Sequence, residues 1–197
     1  MRGGSRGWDR FARLFSAIAN LPLARIARYP VFRGAPSLAR VSDMSESVQL
    51  VVFRLDGQRY ALSLAAVERI VRAVEVTFLP NAPPIVLGAV DVEGHVLPVL
   101  DVRQRFGLRQ REISPADQFL IAQTPPRAVV LVVDEAQGVI ERSQDEIIGS
   151  AQIAPGLEQF QGVVRLDDGL VLIHDLDKFL SLDEARALDE AMNQEVH

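Results

Sequence analysis

Asp101 and Asp175 are the first residues in this chain to test for chemistry, because each closes an apolar run, Val96-Leu97-Pro98-Val99-Leu100 in one case and Val171-Leu172-Ile173-His174 in the other. Two carboxylates work as general acid and base only when they share a cleft, and no feature of the sequence brings these two together. A carboxylate at the end of an apolar strand also accepts hydrogen bonds from nearby backbone amides, and that capping role is the expectation for both. His174 is expected to be a satisfied interior histidine rather than a base, since no serine-centred elbow accompanies it. His95 and His197 complete the histidines, and no two are spaced for a helical metal motif. The absence of cysteine excludes disulfides, thiolate metal sites and cysteine nucleophiles. Neither Gly-x-x-x-x-Gly-Lys-(Ser/Thr) nor Gly-x-Gly-x-x-Gly occurs, so no phosphate cradle is in view. No catalytic residue, metal or cofactor is therefore expected.

Charge points the same way. Residues 1–43 hold eight Arg and two Asp, a net of +6, whereas 44–197 carry a net of −11. An acidic body argues against a broad nucleic-acid surface, which needs clustered positive charge. With 197 residues, 48% hydrophobic content and a mean hydropathy of +0.13, the chain can bury a sizeable core in one domain or two small subdomains.

The elements that must position any site are mainly strands. VQLVVFRL at 48–55 meets Asp56-Gly57 and continues as QRYALSL at 58–64, a hairpin signal. Leu64, Val67 and Val71 have the spacing of one side of a short helix, although Ile70-Val71 also suits the start of a strand. Pro80-Asn81-Ala82-Pro83-Pro84 breaks any ladder. Ile85 to Val102 then reads as a second hairpin turning at Glu93-Gly94, and 119–124 with 127–134 as a third β pair across Pro125-Pro126. Ala128 to Val133, four of whose six residues are valine, is expected to be a buried strand. In 181–197, Ser181 and Glu184 have capping-box spacing, and Leu182, Ala185, Leu188 and Met192 form an apolar stripe, which predicts a C-terminal helix.

The first 43 residues read as a separate basic extension. Phe11, Leu14, Phe15, Ile18 and Leu21 share a helical face before Pro22, so a membrane-surface helix stands beside the plainer reading of a loosely docked extension. The run is broken by Arg13, Asn20, Pro22, Arg25 and Arg28, which excludes a membrane span. Met44-Ser45-Glu46 has the look of an ordinary protein start, which makes Met1 a candidate upstream start.

Gly88-Ala89-Val90-Asp91-Val92-Glu93-Gly94, followed by Pro98-Val99-Leu100-Asp101-Val102, resembles the CheW-like family of bacterial chemotaxis coupling proteins. Members usually read Gly-x-x-Asn-Leu-Arg-Gly and then an apolar strand ending in Asp-Leu. Val133-Asp134, Gly138-Val139, Gly162-Val163 and Leu172-Ile173-His174-Asp175-Leu176 continue the resemblance, which covers about 46–180. It implies an all-β fold of two small five-stranded SH3-like β-barrels with short helices, packed around a shared apolar region. The function it implies is noncatalytic: an adaptor between the regulatory domain of a CheA-like histidine kinase and the cytoplasmic tip of a methyl-accepting chemoreceptor. That implies a cytoplasmic protein at membrane-associated receptor arrays, with no integral membrane segment. The alternative is a structural array protein that binds receptors or related adaptors without activating a kinase.

The resemblance also implies a contact surface made of Val67, Arg69, Gly88, Asp91, Glu93 and Gly94. For Val67 the competing reading is a core helix residue, and for Glu93 an ordinary turn residue. Glu93 replaces the family's usual Arg, and Arg69 stands where a relative often has Glu. The two reversals suggest either a compensating pair within the chain or adaptation to a specialised partner.

Overall fold

The computed structural model describes residues 46–153 and 159–194. The expectations placed on 1–43, including the Phe11–Leu21 face and the start at Met44, lie outside the described residues.

The first strand, β1 (Ser47–Leu55), turns at Asp56-Gly57 into β2 (Gln58–Ser63). Both turn residues have positive φ, 52° and 78°, as a two-residue hairpin loop needs to follow the strand twist. One 3-10 turn at Leu64–Ala66 follows, and β3 (Val67–Arg72) starts immediately after it. The helical spacing of Leu64, Val67 and Val71 therefore ends at Ala66, and Val67 lies half-buried on a strand, not in a helical core. The β-branched Val67, Ile70 and Val71 are used in pairing β3 with β6 (Gln118–Gln123).

The remaining strands are β4 (Val86–Val92), β5 (His95–Leu100), β7 (Ala128–Val133), β8 (Glu135–Ser143), β9 (Ile147–Gly149), β10 (Phe160–Leu166) and β11 (Gly169–His174). Three helices accompany them among the described residues: α1 (Val102–Arg105), α2 (Ser150–Ile153) and α3 (Leu182–Gln194). They build two sheets, ordered β8-β1-β2-β11-β10-β9 and β3-β6-β7-β5-β4. The first has six strands where five were expected. The extra one, β9, is three residues long, and its counterpart in the second sheet is a single bridge between Thr77 and Ala89.

The two units repeat one plan. Each has one parallel contact, β2 with β11 and β5 with β7. Each presses a glycine against the carbonyl of a facing segment: a Cβ on Gly88 would lie 2.1 Å from the Thr77 oxygen, and one on Gly162 would lie 2.4 Å from the Ile148 oxygen. In each, an Asp caps the turn after the closing strand, Asp101 accepting from the Gln104 amide and Asp175 from the Asp177 amide. The separation from Gly88 to Asp101 equals that from Gly162 to Asp175, so His174 falls on the position that Leu100 occupies in its twin.

Each unit has its own core, Leu50, Val52, Ala61, Val164, Val171 and Ile173 in one and Val90, Val99, Phe119, Ile121, Val130 and Val132 in the other. An aromatic column joins them. Phe53 stacks on Tyr60, Tyr60 on Phe106 beyond α1, and Phe106 meets Phe160 and His174. At the C-terminus, Ser181 and Glu184 exchange backbone and side-chain hydrogen bonds at the start of α3. Leu188 and Ala191 are buried there with Leu79. Leu182, expected on the apolar stripe, is the first residue of the helix and is 80% exposed.

Candidate surface at the hairpin seam

The β4–β5 hairpin is fixed from within. Glu93 and Gly94 both take positive φ, 55° and 85°, and the Asp91 carboxylate accepts from the Gly94 amide at 2.7 Å. This leaves the Glu93 side chain outside the turn. Arg69 reaches it from β3, donating to both carboxylate oxygens at 2.5 and 3.1 Å and to Glu68 at 3.1 Å. β3 and β4 are opposite ends of the five-stranded order, so this ion pair and the Thr77–Ala89 bridge bring the sheet's two edges together. The pair lies where the two ends of the five-stranded order approach each other. The bonds to the Arg69 guanidinium hold the Glu93 carboxyl below the ordinary carboxylate range.

Four of the six expected contact residues, Arg69, Asp91, Glu93 and Gly94, thus gather at one exposed turn. Gly88 does not join them, being buried against the Thr77 carbonyl, and Val67 opens β3 half-buried. Ile70 and Val71 on β3, Val139 on β8 and Val96 on β5, none of them expected as contact residues, are exposed by 38%, 37%, 54% and 56%. β3 and β8 occupy equivalent edge positions in the two sheets, so each unit carries exposed apolar side chains on the same strand of its plan. Their only signal in the sequence was β-branched content without clean alternation.

A second polar assembly spans the two units. Asp134, just beyond β7, accepts from the Arg103 guanidinium of α1, from Arg111 at 2.7 Å and from the Asp56 amide of the β1–β2 turn at 2.7 Å. Its own amide donates to the Arg54 carbonyl at 3.0 Å. Burial alone would raise the Asp134 pKa, but the Arg103, Asp56 and Arg111 hydrogen bonds outweigh it and leave it lowered. Arg111 also grips the buried Asp117 through two bonds of 2.7 and 2.6 Å.

Asp101 and Asp175 are each spent on capping their own turns, and no group of three or more potential metal ligands occurs among the described residues. Among those residues no helix is long and apolar enough to cross a membrane.

The family model for the CheW-like domain matches residues 49–184. This chain belongs to the CheW-like family. It is 28% identical over 149 residues to the chemotaxis protein CheW of Treponema pallidum, covering 73% of this chain and 88% of that one. It is also 28% identical over 141 residues to CheW of Rhizobium meliloti, at 71% and 91% coverage. Among solved structures, the scaffolding protein TtCheW of Thermoanaerobacter tengcongensis superposes with a TM-score of 0.63 at 25% identity, over 70% of this chain and 94% of that one. The two-unit all-β body is therefore a CheW-like fold, and the chain is a chemotaxis coupling protein.

Proposed function

We propose that this CheW-like chain is a noncatalytic adaptor joining the regulatory domain of a CheA-like histidine kinase to the cytoplasmic tip of a methyl-accepting chemoreceptor. It works in the cytoplasm, at membrane-associated receptor arrays. The CheW-like match over residues 49–184 carries this reading. The surface chemistry supports it: β3 and β8 offer apolar contact area, and the Arg69–Glu93 pair adds a charged rim that selects partner and orientation. Isothermal calorimetry of the full chain against its own genome's kinase regulatory domain and receptor tip tests it. Binding of both without ATP turnover is the expected result, and binding of neither by folded protein overturns the proposal.

The reversed pair supplies a sharper test. In Arg69→Glu/Glu93→Arg the internal ion pair is kept while the signs presented outward are exchanged, so the fold should melt as wild type does. Affinity for the cognate receptor tip should fall by about tenfold, with a steeper salt dependence than that of folding. Equal affinities for the two proteins at low and at physiological salt would remove the pair from partner selection.

A further inference from the structure

His174 is 2% exposed, yet neither ring nitrogen has a hydrogen-bond partner among the described residues. It was expected to be a satisfied interior histidine; it is interior, and only the Asp175 charge and backbone favour a proton on its ring. Its twin position holds Leu100, fully buried, so the plan of the unit asks only for an apolar side chain here. Leucine would fill the site without leaving buried polar atoms unpaired.

The surroundings favour only the neutral ring. Phe106 lies 4.9 Å away between ring centres, Phe160 5.3 Å and Phe179 5.4 Å. The nearby charges are already engaged. Arg105 sits over the far ring, Phe179, at 5.6 Å and donates to Glu184 of α3 at 2.5 Å. Asp175 receives the Asp177 amide and pairs with Lys178 at 2.9 Å. Tyr60, beyond Phe106, is buried, which raises its phenol and keeps it neutral, with Asp56 and Arg103 in its surroundings. An imidazolium here would lose its hydration and meet the Arg105 cation, with only partial relief from Asp175.

We propose that His174 is an acid-operated release for the C-terminal segment: the neutral ring seats Phe179 and, through Arg105 and Glu184, the start of α3, and protonation expels it. Departure of α3 uncovers Leu79 and Val86, which Leu188 and Ala191 otherwise cover. The direction follows from proton affinity. Burial, the largest cause, lowers the His174 pKa from 6.5 to about 4, so the released state binds the proton more tightly. The closed state is thus fully favoured above pH 6.5 and loses ground as pH falls from there toward 4.

The test is hydrogen exchange of the full chain at pH 7.5 and pH 5.0, corrected for intrinsic rates, for wild type, His174→Leu and His174→Met. In wild type the protection of amides in 179–192 should fall by about 30-fold at pH 5.0, while the sheet cores keep theirs. Both variants should hold their C-terminal protection at the lower pH, and two non-titrating replacements guard against one that fails to fold. The same acid-induced loss in a folded variant overturns the proposal. So does a wild-type loss spread evenly over both sheets, which would make the histidine a global rather than a local determinant.

Discussion

Replacement of Asp134 by alanine is expected to cost about 3–5 kcal/mol of folding stability, the range found when one member of a buried ion pair is removed and the other is left without its partner. Arg103 would be that stranded charge. Its side chain is 9% exposed, and the other carboxylate paired with it among the described residues, Asp56, stands 3.9 Å away on an exposed turn. The same substitution frees the Asp56 amide and one bond of Arg111, loosening the β1–β2 turn from the loop before β6. Urea denaturation of the full chain should show a lower midpoint with an unchanged slope. A loss below about 1 kcal/mol, the level of an exposed pair, would show that the junction is solvated and contributes little. Acid should reach this junction later than it reaches His174. Because the folded Asp134 pKa is lowered, its contribution is present above the ordinary carboxylate range and disappears only as pH falls through the depressed value.

Gly88→Ala should be at least as damaging, at about 3 kcal/mol or more, because two independent faults coincide. Gly88 has φ of 153°, which L residues rarely adopt, and the added carbon would lie 2.1 Å from the Thr77 carbonyl oxygen and 2.7 Å from Val76 Cγ1. The Thr77 carbonyl cannot move cheaply, since Thr77 and Ala89 exchange backbone hydrogen bonds of 2.9 and 2.8 Å across the bridge. Gly94→Ala is the control, with φ of 85° but nothing within 4 Å of its added carbon, and should cost about 1 kcal/mol. Any partner binding lost in Gly88→Ala should return in the fraction that remains folded, as measured by titrating active protein. A fully folded Gly88→Ala that fails to bind would instead make this buried glycine part of the contact surface.

The hairpins at Asp56-Gly57 and Glu93-Gly94 were legible because their turns demand positive φ at two successive residues, and few dipeptides tolerate that. Ala128–Val133 was legible because it is covered on both faces, leaving no polar position to confuse its reading. The segment at 64–72 was harder. Its apolar residues suit a helix turn and a strand equally, and only pairing with β6, distant in sequence, decides between them. The internal repeat escaped notice since little beyond the paired glycines and capping aspartates is shared between copies, while β1 and β2 enter one copy from the opposite end of the chain. The Arg69–Glu93 contact was legible as two complementary reversals of charge, but their closeness depends on the sheet curling until its edges meet. The sequence has no marker for that curvature.

The entry of β1 and β2 into a sheet finished by β10 and β11 also dictates a timetable. On the ribosome the β1–β2 hairpin is made first, yet its parallel partner, through Tyr60 with Leu172 and Ala61 with Ile173, is among the last strands synthesised. The five-stranded unit lies wholly between them and can close while the hairpin waits with Leu50, Val52 and Ala61 still lacking Val164, Val171 and Ile173, their core partners from β10 and β11. Translation that stops before Ile173 yields one finished barrel trailing an adhesive β ribbon, a species that quality-control proteases and chaperones can distinguish from the full-length protein.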